Sequence, residues 1–214
     1  MIKKFQLDFV VLTDHNTIQG AVALRKELQR QQLAHVQVPI AAEYFTEYGD
    51  VIAAFITDEL DYKGSFLSFV DQVKTQNGIL LFPHPYKGHQ NIHDVASHCD
   101  LIEVFNSRQS KNEDKRAQEL QERYQKPSYC ASDAHLFSEY GNVILQIEYE
   151  TDDLKASLLH GRISCLRCVK TTMFDILVSQ WMKALKLCRF KLFLQVLRSM
   201  LKNFVLMRLF KRLD

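Results

Sequence analysis

Short apolar blocks alternate with polar, helix-patterned stretches along most of the chain. Leu7 to Leu12 is an apolar, β-branched block of the buried-strand type, followed at once by polar Thr13, Asp14, His15, Asn16 and Thr17. From Ile18 to Gln32, Ala21, Leu24 and Leu28 share one helical face. Val36 to Ile40 reads as a strand that ends near Glu43, and Asp50 to Ile56 as another. Phe66, Phe69, Val70 and Val73 mark a helix closed by Asn77-Gly78. Ile79 to Phe82 is a strand running into Pro83-His84-Pro85, and Leu101 to Phe105 is the next. A polar helix is expected from Asn112 to Tyr124. Ser128 to Ala131 is a short strand leading to Asp133 and His135, Val143 to Ile147 is the last strand, and Asp152 to Leu159 a short helix ended by Gly161.

This alternation predicts an α/β fold with a mainly parallel sheet or barrel. Four polar clusters, at Asp14/His15, Glu43, His84 and Asp133/His135, follow the C-terminal ends of expected strands. In α/β folds the loops converge at that edge, so the clusters are expected to face one another. Imidazole and carboxylate together suit Zn²⁺, Mn²⁺ or Fe²⁺, and a carboxylate can bridge two ions. Two neighbouring ions acidify a bound water and clamp the oxygens of an in-line displacement at phosphorus. The alternative for Asp14 is a turn or helix cap, and for Glu43 an ordinary loop acid. His89, His93 and His98 are expected to be solvated surface histidines, and Glu139 and Asn142 loop structure.

The 214 residues suffice for one domain with an appendage. The near-neutral total charge of +2 hides a split. Residues 1–161 hold 15 basic and 23 acidic side chains, net −8, whereas 162–214 hold 12 and 2, net +10. Two parts are therefore expected, a site-bearing domain over 1–161 and a basic amphipathic helical tail over 162–214. In the tail, Leu177, Trp181, Leu185, Cys188, Leu192 and Val196 recur at helical spacing, with Lys183, Lys186, Arg189 and Lys191 around them. This suits packing on the domain, or a partner helix or anionic membrane surface reached through 171–213. No nucleic-acid recognition module is visible. Cys165 and Cys168 have C-x-x-C spacing without a second pair to complete a zinc site, so reduced thiols are expected. No signal peptide and no uncharged apolar run near the ~18 residues of a spanning helix is seen, so a cytoplasmic location, perhipheral to a membrane through the tail at most, is expected.

The segments FVVLTDHNT (Phe9 to Thr17), AAEYFTEYGDVIAAFI (Ala41 to Ile56), LLFPHPYKG (Leu80 to Gly88), IEVFNSR (Ile102 to Arg108) and ASDAHLFSEYGN (Ala131 to Asn142) occur in that order. Together they resemble the successive motifs of the PHP (polymerase and histidinol phosphatase) family of metal-dependent phosphoesterases, over roughly residues 5 to 161. The resemblance implies a distorted (β/α)7 barrel with two or three divalent ions at its mouth. It also implies hydrolysis of phosphate esters of small molecules or nucleotides. By position, His15, Glu43, His84, Asp133 and His135 match metal ligands, with Glu43 as the bridging carboxylate. Asp14 falls where a group orienting the ligands would lie. Asn106 and Arg108 fall where related chains place polar residues near the site, and Arg108 is expected to hold phosphate through its planar fork.

The chain departs from the family pattern at one place. Family members carry a His-x-His motif one βα unit before T-D-H. Here thirteen residues precede Asp14 and none is a histidine. The expectation is a barrel lacking its first βα unit, holding fewer ions than the complete site. A second reading makes the chain an inactive remnant that binds partners or a membrane surface through its tail. Metal-dependent C–N hydrolysis is a third, weaker reading.

Overall fold

Alternation of side chains across extended backbone explains how the sheet is buried on both faces. The computed structural model describes residues 1–148 and 153–186. Its helices are α1 (Ile2–Phe5), α2 (Gln19–Arg30), α3 (Phe66–Thr75), α4 (Ile92–His98), α5 (Lys111–Tyr124), α6 (Leu154–His160) and α7 (Met173–Lys186). Its strands are β1 (Ala41–Thr46), β2 (Gly49–Ala54), β3 (Ile79–Phe82), β4 (Leu101–Asn106), β5 (Ser128–Ala131), β6 (Val143–Glu148) and β7 (Arg162–Cys168). Five strands form one sheet in the order β1-β2-β3-β4-β5, and β6 pairs with β7 in a second.

Ala42, Tyr44, Val51, Ala53, Leu80, Phe82 and Ile102 share one face of the large sheet. There they pack on Phe66, Phe69, Val70 and Val73 of α3, Val95 and Ala96 of α4, and Ala21 of α2. The intervening residues Ala41, Ile52, Ala54, Ile79, Leu81, Leu101 and Tyr129 fill the opposite face. Their partners are Ile147 of β6 and Leu154 and Leu158 of α6. Period-2 alternation puts Glu43, Asp50 and Glu103 on this second face as well. Polar side chains thus continue an apolar surface.

The helices have local causes. Ser65 caps α3 by accepting from the Ser68 N–H, and Ser110 with Glu113 makes a capping box on α5. Asp153 accepts from the Lys155 and Ala156 N–H groups at the start of α6.

The sheet combines parallel and antiparallel pairing. The ladders β3–β4 and β4–β5 are parallel, while β1–β2 and β2–β3 are antiparallel. The cause of the first reversal is local, because pairing of Thr46 with Gly49 leaves two residues, Glu47 and Tyr48, to turn the chain. The ladders formed by the described residues leave this sheet open, where a distorted (β/α)7 barrel lacking its first βα unit was expected.

The block Leu7–Leu12 is not a continuous strand. It runs parallel to residues 37–43 and bonds at two places, Phe9 with Gln37 and His15 with Glu43. It lies beyond β1, at the sheet's edge. The strand expected over Val36 to Ile40 begins later, at Ala41, so Glu43 sits inside β1 and not in a loop after it.

Residues 162–168, expected to open the helical tail, instead form β7, antiparallel to β6. The jump in charge therefore falls between two secondary-structure elements of the folded body. Helix α7 follows, with Leu177, Ser179 and Ala184 buried, whereas Leu185 of the expected apolar stripe is 49% exposed. Cys188, Leu192 and Val196 lie outside the described residues. Among the described residues, no helix is long and apolar enough to cross a membrane.

Candidate metal centre

The centre is built from groups on and just after neighbouring strands of the large sheet. Glu43 of β1 is 8% exposed. Its Oε1 lies 3.0 Å from His84 Nε2 and its Oε2 3.4 Å from His15 Nδ1. His15 is placed by the parallel bridge to Glu43, in which the Asp14 carbonyl accepts the Glu43 N–H and the Glu43 carbonyl accepts the Asn16 N–H. His84, 6% exposed, follows β3 between two prolines and has a left-handed backbone, φ 29°. A histidine held in that region is over-determined by its surroundings, which fixes the direction of its ring.

Part of that constraint comes from Glu103 of β4, which the sequence reading did not single out. It is buried, accepts the His84 backbone N–H, and accepts from Asn106 Nδ2 at 3.2 Å on each oxygen. Burial pushes its carboxyl up to about 8, against the opposing pull of the His84 charge.

Asp50 of β2 also had no signal in the sequence beyond an acid at the start of a strand. Ligand atoms of Glu43, Asp50 and His84 all lie within 4.8 Å of one another, a grouping that can hold a metal ion. Burial and the adjacent Glu43 charge push the Asp50 carboxyl above its ordinary value. His89 was expected to be solvated, but its Nε2–H donates to the Asp50 carbonyl at 2.7 Å, and burial lowers its pKa to about 4. Room for this ring comes from Gly49, φ 114°, where a Cβ would meet His89 Cδ2 at 2.6 Å. His93 and His98 make local contacts, with Tyr124 Oη and with the Asp94 carbonyl.

The charges of the central pair reinforce each other. Burial pushes Glu43 up, but the His84 hydrogen bond and the charges of His84, His15 and Lys87 outweigh it and hold the carboxyl below its usual range. Burial likewise penalises His84⁺, and Glu43, Glu103 and Asp133 outweigh it and raise the imidazole.

Asp133 and His135 stand together outside the trio of Glu43, Asp50 and His84. His135 Nδ1 lies 3.5 Å from Asp133 Oδ1 and 2.8 Å from the Asp133 carbonyl. Asp133 also has a left-handed backbone, φ 47°. Its Oδ2 is buried without a hydrogen bond, 3.6 Å from Lys87 Nζ. His84 Nδ1 is buried without a hydrogen bond too. Buried polar atoms left this way, beside a set of imidazole and carboxylate donors, fit a site that takes a divalent ion.

The three other expected residues, Asp14, Asn106 and Arg108, make contacts of their own. The Asp14 carboxylate lies against Gly20 in the first turn of α2, where a Cβ would fall 1.8 Å from its Oδ2. Asn106 is buried, its Oδ1 accepting the Arg108 N–H at 2.8 Å while its amide supports Glu103. The Arg108 fork is spent on Glu139 Oε1 and Ser179 Oγ, each at 2.5 Å. Glu139 is fully buried, and its other oxygen accepts the His135 and Leu136 N–H groups at 2.7 and 2.8 Å. Arg108 therefore connects α7 to the turn that carries His135.

No family model matches the chain. It is similar to two uncharacterized proteins of Methanocaldococcus jannaschii. One is 33% identical over 108 residues, covering 49% of this chain and 61% of that protein. The other is 28% identical over 115 residues, covering 49% and 48%. The chain thus spans about half to three fifths of the curated relatives it matches. Among solved structures, it resembles a two-domain protein of Bacteroides vulgatus containing a predicted PHP-like metal-dependent phosphoesterase. The TM-score is 0.61 at 16% identity, over 76% of this chain and 56% of that one. It also resembles PsfC of Pseudomonas syringae, with a TM-score of 0.59 at 18% identity, over 83% and 84%. At these identities the likeness is one of fold, and the fold it shows is the α/β fold of a PHP-like neighbour.

Proposed function

We propose that the chain is a metal-dependent phosphoesterase acting on phosphate monoesters of small molecules or nucleotides. The observation that carries this reading is the Glu43 carboxylate placed between His84 and His15, with Asp50 beside it. His15, Glu43, Asp50 and His84 would hold a divalent ion, and Asp133 with His135 would complete the ligand set. Bound there, such an ion supplies an acidified water and Lewis-acid polarisation of a phosphoryl oxygen. Mn²⁺, Zn²⁺ and Fe²⁺ all suit these donors.

The chain's own groups do the rest. Glu103 and Asn106 fix the His84 backbone, so the ring need not reorganise on binding. Arg108 and Glu139 fix the turn at His135. With the Arg108 fork engaged in that pair, Lys87, half-exposed and 3.6 Å from Asp133 Oδ2, would meet the phosphate from beside the centre. Asp14 supports the backbone bridge to Glu43 rather than the reacting groups.

The test is hydrolysis of p-nitrophenyl phosphate by the full chain with Mn²⁺ supplied. Activity lost on His84→Ala, and reduced through KM on Lys87→Ala, is the expected result. Equal rates in wild type and His84→Ala would overturn the assignment.

A second reading, a non-catalytic binding module on the same fold, is favoured by the engagement of Arg108 and Asp14 away from the centre. It predicts metal binding without turnover.

A further inference from the structure

A second set of ligand-bearing residues lies away from the carboxylates and imidazoles. Positions three apart on a regular strand point to opposite faces, so Cys165 and Cys168 of β7 would ordinarily be separated by the sheet. The β6–β7 ladder steps from Ile144 opposite Arg167 to Leu145 opposite Cys165 and passes over Leu166. This one-residue bulge returns Cys165 to the side of Cys168. In the structure the two are joined as a disulfide. Cys130 of β5 points at the same place from the other sheet, and all three Sγ atoms lie within 4.8 Å of one another. Cys165 and Cys168 are exposed and Cys130 is half-buried.

We propose that, with the Cys165–Cys168 bond reduced, Cys130, Cys165 and Cys168 form a three-thiolate site for one thiophilic ion of the Zn²⁺ class. Tetrahedral Zn–S bonds of ~2.3 Å place sulfurs ~3.8 Å apart, a spacing that parting of the two disulfide sulfurs on reduction would open within the 4.8 Å that encloses all three. The fourth position faces solvent, since both β7 cysteines are exposed.

The two states exclude each other. Two molecules of a small thiol open the Cys165–Cys168 bond, leave both sulfurs protonated, and are themselves joined as a disulfide. The ion then takes the place of the three thiol protons. No second C-x-x-C is needed, because the third sulfur arrives through the fold.

The experiment is a Co²⁺ titration of the full chain, reduced with a phosphine, read by thiolate-to-cobalt charge-transfer absorption. The carboxylate–imidazole centre cannot produce that band, so failure here leaves the phosphoesterase reading untouched. The expected result is a saturable band that Zn²⁺ bleaches and that is lost in Cys130→Ser and in Cys168→Ser. The latter variant changes only an exposed side chain and guards against a folding artefact. The band should persist in His84→Ala and be absent from the oxidised chain. No band in the reduced chain, or a band unchanged in both cysteine variants, would overturn the site.

Discussion

Glu43 Oε1 lies 3.0 Å from His84 Nε2, one side chain coming from inside β1 and the other from the turn after β3. Each partner shifts the other's protonation toward the charged form, against the effect of burial. In the metal-free chain, Glu43→Gln keeps the shape and removes the charge. The His84 imidazole pKa should then fall, as followed by proton NMR titration of the histidine ring signals. A His84 titration unaffected by the substitution would mean that the pair is not formed.

Glu103 sets a pH dependence of opposite origin. Its folded carboxyl holds its proton up to about 8, whereas the unfolded chain releases it near 4.5. Between these values the folded state binds more protons, so this contribution is complete below about 4.5 and lost as pH rises through about 8. Complete loss corresponds to something on the order of 5 kcal/mol at ~1.4 kcal/mol per unit. Urea titrations of the metal-free chain at pH 5 to 9 should show Glu103→Gln gaining on wild type as pH rises. Parallel curves for the two proteins would contradict this.

Arg108 and Glu139 form a buried pair, and Ser179 of α7 accepts the second arm of the fork. Arg108→Ala strands the Glu139 charge, at an expected cost of about 3 to 5 kcal/mol by denaturant unfolding. If Arg108 instead held phosphate, the substitution would raise KM and leave the unfolding midpoint in place.

Gly49 is needed twice, for its backbone at φ 114° and for the space occupied by His89. Gly49→Ala should destabilise the chain by about 1 to 3 kcal/mol. It should also weaken ion binding, because His89 holds the Asp50 backbone. Thermal melts and calorimetric Mn²⁺ titrations read the two effects separately, and wild-type values in both would refute the role given to His89.

Most of the element order was legible because the apolar blocks are short, bounded and correctly spaced. The face of α3 is an example, with Phe66, Phe69, Val70 and Val73 all buried. Pairing direction was less legible. A strand such as β2 reads alike whether its neighbours run parallel or antiparallel, and the apolar pattern does not mark the two-residue turn at Glu47-Tyr48 that reverses the chain. The opening block failed as a strand because it bonds at two isolated points along the sheet's edge.

The candidate centre draws together residues of recognisable motifs, His15, Glu43 and His84, with residues placed there only by the fold. Asp50 and Glu103 reach it through alternation on β2 and β4, which no local spacing announces. Arg108 was read as a phosphate group because an arginine near a site is chemically apt. Its burial with Glu139, thirty-one residues further on, depends on tertiary packing. β7 was hidden by its basic composition, which resembled the start of the tail.

The most direct measurement is Mn²⁺ content of the purified full chain at equilibrium, compared with Glu43→Gln and His84→Ala. Mn²⁺ prefers oxygen and imidazole to thiolate, so the cysteine cluster does not contribute. The account predicts at least one ion per wild-type chain and its loss in both variants. An equal Mn²⁺ content in all three proteins, or a folded wild type that takes up none, would contradict it.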